Sequence, residues 1–233
     1  MEKSYRNLAY LSVIIFIVVI IGFYRTYFGL FPKFENVANV VHLHTGALLL
    51  WSFLTIAQPI LIRTKKIHVH RLLGKISYLL APIIVYTTLA LGRHMFFQRT
   101  AHVPMESNLK SLFLPFSHMF LFSLFYGLAI FHKKKAPIHM RYMIAASFVV
   151  LAPAIVRIDF SWTGLEFDRL LFSYLFVDLL LAILIIFDEF NKKKYAPYFV
   201  ALGFFILVHV STFYVSQTPL WQIPAAKIVE IFF

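Results

Sequence analysis

Long apolar runs are the feature that most constrains the fold of this 233-residue chain. Runs of about the 20 residues that an α-helix needs to cross a bilayer occur seven times. We place them at 8–28, 39–62, 75–97, 111–132, 142–160, 168–190 and 197–217. Only 14% of the residues are charged, against about a quarter in a typical soluble domain. The sequence therefore predicts an all-α polytopic membrane protein, a single seven-helix bundle over 1–233 with an interfacial tail at 218–233.

The distribution of basic residues predicts the orientation of this bundle. Seven spans place the N-terminus and the connections 63–74, 133–141 and 191–196 on one side, and most of the 22 Lys and Arg lie there. Basic loops beside spans face the cytoplasm, so we expect a cytoplasmic N-terminus in a bacterial cytoplasmic (inner) membrane. The net charge of +12 is then a topology signal: membrane lipids are the expected partners, and no nucleic acid is expected. No small-x-small cleavage site follows the first run, which we interpret as a retained span.

Histidines in different spans fall at similar depths. With a rise of about 1.5 Å per residue, His44, His118 and His209 lie roughly 8–12 Å below the outer ends of spans two, four and seven. His42 and His94 are shallower on the same side, and the sequence leaves open whether they join the others. Cysteine is absent, which excludes disulfides, thiolate ligation and iron–sulfur clusters. The matched depths predict one shared histidine pocket in the outer half of the membrane.

Helical spacing indicates which side chains face that pocket. His44 shares a face with Trp51, Thr55 and Gln58, a polar stripe that a bundle would turn inward. His42 lies two residues from His44 and therefore points nearly the opposite way.

Charged residues in and beside the spans add candidates for the same pocket. Asp178 lies near the middle of span six, and Arg157 and Asp159 end span five on the outer side. An acid as deep as Asp178 must be protonated, paired or functional.

Neutral imidazole ligates haem iron, copper, zinc and non-haem iron. We therefore interpret the chain first as a membrane redox protein that binds haem b or a transition metal ion (Zn, Cu or Fe), with a quinone or an electron-transfer protein as partner. The sequence leaves open whether the chain is itself a membrane oxidoreductase. His44 and His118 are the first expected ligands and His209 the third. The expected surrounding groups are Asp178, Arg157, Trp51 and Gln58.

Two other functions fit the same residues. The first is zinc-assisted hydrolysis within the membrane, as in seven-span ceramidase-like proteins, with metal-bound water as the nucleophile and Asp159 or Asp178 as the base. The second is a non-catalytic proton-coupled carrier or assembly factor, in which Asp178 and the histidines titrate. A purely structural role is also open, because a single histidine in a span often bonds to a neighbouring helix.

A set of short motifs carries a family resemblance over roughly 39–222. The pattern H-x6-W-x6-Q formed by His44, Trp51 and Gln58 precedes "HVHRLLGKISY", and "APIHMRYM", "LAPAIVR", "VDLLLAILIIFDEF" and Trp221 follow in order. This order resembles a family of uncharacterised bacterial multi-span membrane proteins, a domain of unknown function. The resemblance implies a seven-span bacterial membrane protein without an established activity. Relatives are often acidic at the position of His118, so the resemblance does not imply a three-histidine site throughout the family.

Overall fold

The computed structural model describes residues 5–160 and 167–233, and this part of the chain is helical, without a β-strand. A short 3₁₀ turn, Phe28–Leu30, follows the first helix. The α-helices are α1 Leu8–Gly22, α2 Asn39–Arg63, α3 Ile67–Thr100, α4 Met105–Phe131, α5 Ala136–Phe148, α6 Leu151–Ile155, α7 Arg169–Phe190, α8 Pro197–Tyr214 and α9 Pro219–Phe232.

Six of the described helical segments are long and apolar enough to cross a membrane. They are α2, α3, α4, the segment Ala136–Ile155 that joins α5 and α6, α7 and α8. The prediction of a multi-pass membrane protein is therefore supported. Helix α1 has 15 residues, fewer than the roughly 20 that span a bilayer. The count of seven spans and the cytoplasmic N-terminus stay predictions.

Helix α1 nevertheless lies along the bundle from end to end. Tyr5, just before α1, bonds to Asp188 near the end of α7. At the other end of α1, a Cβ on Gly22 would come within 2.2 Å of the backbone oxygen of Ala154 in α6. Glycine is needed there because the two backbones approach too closely for a side chain.

The connections define two ends of the bundle. The short connections after α2, α4 and α7 turn the chain back, whereas α6 continues α5 in one span. The connections 64–66, 132–135 and 191–196 therefore lie at one end, together with Tyr5 before α1. We call this the basic end, because it carries the lysine triplets 133–135 and 192–194. The loops at 101–104 and 215–218 lie at the opposite end.

The segment that joins α5 and α6 forms the centre of the bundle. In its most apolar window of 18 residues 67% are buried, against 17–33% in the other five candidate spans. Within it Ala145 is essentially inaccessible, and so are Phe125 of α4, Val177 of α7 and Phe205 of α8. Small residues of α5 permit this close packing, as is usual between membrane helices.

The observed helix bounds differ from the predicted spans in two places. Helix α3 begins at Ile67, so His68 to Gly74, which we placed in the connection 63–74, are helical. The predicted fifth span breaks after Phe148 into α5 and α6.

The C-terminal tail predicted at 218–233 is also helical. It is the helix α9, which packs against α4 through the Trp221 Nε1–H donated to the Leu109 carbonyl at 2.9 Å.

Candidate functional site

A cavity of about 1130 Å³ opens at the basic end of the bundle. Its walls come from α1, α2, α3 and α5, with contributions from the end of α4 and the connection after it. Ile67 and Tyr78 line it and are 40% and 46% exposed. The cavity therefore reaches the molecular surface between the helices. We call it the basic-end cavity.

The deep part of the cavity is mainly apolar. Its walls include Leu11 and Ile15 of α1, Leu54 of α2 and Ile144 of α5. Trp51 closes one side, packed edge-on against Phe122 and Tyr126 with ring centroids 4.9 and 5.6 Å apart. The deep part of the cavity can accommodate a hydrocarbon chain, because removing apolar surface from water is favourable.

Gln58 organises the polar mouth of the cavity. With the amide orientation assigned from its partners, its oxygen accepts the Gly74 N–H at 3.1 Å and its nitrogen donates to the His70 carbonyl at 3.2 Å. The same nitrogen also donates to His70 Nδ1. A neutral imidazole that accepts at Nδ1 carries its proton on Nε2. Gln58 thus fixes a His70 tautomer that can donate a hydrogen bond through Nε2.

A second imidazole, His139 of α5, lines the same mouth. Its Nδ1 lies 2.7 Å from the Ala129 carbonyl, which can only accept, so Nδ1 carries a proton. The other nitrogen, Nε2, is then the one free to meet a ligand. His70 and His139 lie close enough for a charge on one ring to affect the other.

The rim of the mouth is basic. Arg71 and Lys75 of α3 lie on one side, with Lys133 and Lys134 on the other. Lys133 Nζ donates to the Tyr78 hydroxyl at 3.3 Å and lies 5.6 Å from the centre of its ring. Among the described residues that line the cavity there is no Asp or Glu. The cavity is thus apolar inside and cationic at its mouth.

A buried ion pair lies at the same end of the bundle. Arg141 donates to both carboxylate oxygens of Asp188, at 2.6 and 2.7 Å, and to the Pro137 carbonyl at 2.9 Å. The Tyr5 hydroxyl donates to the same carboxylate at 2.7 Å. Burial raises the pKa of Tyr5, so the hydroxyl keeps its proton. These contacts fasten the start of α1, a wall of the cavity, to α5 and α7.

The three predicted histidine ligands have separate surroundings. His44 Nδ1 lies 3.1 Å from the Thr87 hydroxyl of α3. His118 Nδ1 bonds to the Leu114 carbonyl of its own helix at 2.8 Å, while its Nε2 is buried without a partner. His209 Nδ1 bonds to Asp178 Oδ2 at 3.0 Å.

His209 of α8 contacts two side chains of α7, Asp178 and Tyr174. The His209 ring stacks on Tyr174, with centroids 4.0 Å apart. Asp178 Oδ1 is buried without a partner, so one oxygen of this carboxyl group has no hydrogen bond.

The predicted metal and haem ligation has no support from these contacts. Within residues 5–160 and 167–233, no group of three or more His, Cys, Asp or Glu is arranged to hold a metal ion. Haem and metal binding stay predictions.

The two residues predicted at the outer end of span five have other partners. Asp159 pairs with Arg25 at 2.6 Å. Arg157 Nη1 donates to the Pro153 carbonyl at 2.6 Å, and its guanidinium lies over the Phe23 ring. The predicted roles of Asp159 as a base and of Arg157 beside the reacting group, like that of Asp178, are not tested by these contacts.

The sequence predicted an inward-facing stripe on α2 but placed it in an outer pocket, and it did not predict a cavity at the basic end. The inward stripe of Trp51, Thr55 and Gln58 does line a cavity, although His44, on the same face, is not among the lining residues. His70 and His139 fall in the predicted connections 63–74 and 133–141, and they are not among the candidate site residues predicted from the sequence. The available signal was Gln58 itself, because the stripe runs from His44 towards the basic end.

Comparisons with known proteins give no relative from which to transfer a function. No family model matches the chain, and neither a curated protein nor a solved structure matches it. The resemblance to uncharacterised bacterial membrane proteins therefore stays a prediction, and a functional conclusion depends on the geometry of the chain itself.

Proposed function

We propose that this chain is a membrane protein that binds one amphiphile, a lipid-like molecule with a polar head and an apolar chain, in the basic-end cavity. The observation that carries the proposal is the division of that cavity into an apolar depth and a polar, cationic mouth. An amphiphile has the same division. Its chain would lie among the apolar side chains of α1, α2 and α5, and its head beside Gln58, His70 and His139.

The size and position of the cavity support a ligand taken from the membrane. Its volume of about 1130 Å³ lies above the roughly 300–1,000 Å³ of ordinary small-molecule pockets. The walls belong to helices that are long and apolar enough to span a bilayer, together with α1. A lipid could therefore enter from the side of the bundle without exposing its chain to water.

The other candidate functions have weaker geometric support. None of His44, His118 and His209 lines the basic-end cavity, so the haem- or metal-binding redox function and the zinc-dependent hydrolase would need a separate site. The carrier hypothesis is compatible with amphiphile binding. The buried His209–Asp178 contact would then supply a group that can hold a proton.

A pair of matched variants tests the proposal. Ser12→Phe places a large ring in the cavity wall, whereas Ser123→Phe adds the same ring on an exposed face of α4. We expect wild-type protein purified in mild detergent to retain one lipid-like molecule per chain in native mass spectrometry. Ser123→Phe should retain it, and Ser12→Phe should lose most of it.

Amphiphile binding is contradicted by wild-type protein without a retained amphiphile, or by equal retention in both variants. A Soret band or a stoichiometric metal ion in the purified protein would support the redox hypothesis at its separate site.

A further inference from the structure

The polar mouth of the basic-end cavity has a chemistry that selects among amphiphiles. Its charged side chains are cations: Arg71, Lys75, Lys133 and Lys134. No carboxylate accompanies them among the described lining residues. A neutral head, such as a quinone ring or a glycerol, would leave these four charges without a counterion. An anionic head would neutralise them.

The arrangement of hydrogen-bond donors further restricts the chemistry of the amphiphile's head. His70 presents Nε2–H because Gln58 occupies its Nδ1, and lysine and arginine side chains only donate. Donors therefore approach the mouth from α3 and from the connection before α5. A phosphate group offers several acceptor oxygens in different directions, and its charge strengthens each hydrogen bond that it accepts. A carboxylate offers only two oxygens in one plane.

We infer that the amphiphile is a lipid with a phosphate-bearing anionic head, and that its phosphate lies between the His70 imidazole and the Lys75 and Lys133 ammonium groups. This inference rests on the proposed function. The lipid chains extend past Gln58 towards Trp51. Gln58 acts as a positioning residue, because it holds the His70 ring rather than the ligand.

The test uses two lipids that differ only in the head. The full-length protein in detergent, freed of bound lipid, is titrated with dioleoyl phosphatidic acid or with dioleoylglycerol, and bound lipid is counted by native mass spectrometry. We expect phosphatidic acid to bind at least tenfold more tightly. Inorganic phosphate at millimolar concentration, added as a third probe, should displace little of it, because the acyl chains contribute most of the contact.

Charge variants locate the phosphate. The double variant Lys75→Gln/Lys133→Gln removes two cations from the rim, and Lys193→Gln/Lys194→Gln removes two from the same end of the bundle outside the cavity. At roughly fivefold per lysine, the first variant should bind phosphatidic acid at least tenfold more weakly and dioleoylglycerol unchanged. The second should bind both lipids as the wild type does. Unchanged dioleoylglycerol binding also shows that the variant is folded.

Each other outcome overturns a distinct statement. Equal binding of the two lipids refutes the phosphate head but leaves amphiphile binding intact. Binding of neither lipid refutes the proposed function itself. Full displacement by inorganic phosphate indicates a site for free phosphate rather than for a lipid. An equal effect of the two double variants shows that general charge attraction, not the cavity, holds the lipid.

Discussion

The buried Arg141–Asp188 pair gives the sharpest prediction for stability. The two side chains are 0% and 5% exposed, and Asp188→Ala removes a carboxylate that accepts two hydrogen bonds from the buried Arg141 guanidinium. The loss of one partner of a buried ion pair costs about 3–5 kcal/mol. For a chain of this length, roughly 2–4 °C of melting temperature accompany each kcal/mol. We therefore expect Asp188→Ala to lower the melting temperature by about 6–20 °C.

The assay is thermal unfolding in detergent, followed by size-exclusion of the soluble fraction. The matched control is Asp159→Ala, which breaks a pair whose side chains are 74% and 33% exposed and should cost no more than about 1 kcal/mol. The double variant Arg141→Leu/Asp188→Ala should recover part of the loss, because it also removes the buried guanidinium charge. If Asp188→Ala melts within 2–4 °C of Asp159→Ala, a span of roughly 1 kcal/mol, the buried pair does not stabilise the bundle as argued.

Three further predictions address the packing of α1, the buried imidazole of His118 and the orientation in the membrane. Gly22→Ala should destabilise the protein by about 1–3 kcal/mol in the same melting assay, because its Cβ would lie 2.2 Å from a backbone oxygen of α6; an unchanged melting temperature would contradict this close approach. His118→Phe should leave the free energy of unfolding unchanged or raise it by about 1 kcal/mol, because it removes Nε2, which is buried without a partner. A fall in the free energy of unfolding above about 2 kcal/mol would instead indicate that the ring holds a ligand. The chain has no cysteine, so Lys134→Cys and His102→Cys each provide a single site for a membrane-impermeant thiol label. We expect the label to reach Lys134→Cys only from the cytoplasm and His102→Cys only from outside. The reverse pattern would refute the predicted orientation.

Hydropathy predicted the membrane helices well because lipid and protein interior both favour apolar side chains. The predicted span 168–190 corresponds to α7 Arg169–Phe190, and the predicted span 39–62 to α2 Asn39–Arg63. The first two turns of α3 were missed because a helix can continue past the hydrocarbon with polar residues. The break between α5 and α6 was missed because the composition on both sides of it is equally apolar.

The candidate site was harder to predict, because depth in the membrane does not determine direction. His44, His118 and His209 share a depth, yet their contacts are with Thr87, with a backbone carbonyl and with Asp178. A cavity is a gap between helices, and its existence depends on how they pack. The stripe of Trp51 and Gln58 indicated one wall, but no pattern along the chain indicated that α1 and α5 complete the others.

The most direct test of the account is an experimental density map of the protein in a lipid nanodisc, with the chain enlarged by a bound antibody fragment. We predict elongated density in the basic-end cavity, with its apolar part beside Leu11 and Leu54 and its head beside His70 and Lys133. A cavity that is closed by the surrounding helices, or that holds only ordered water, would contradict the central claim that this chain binds a membrane amphiphile there.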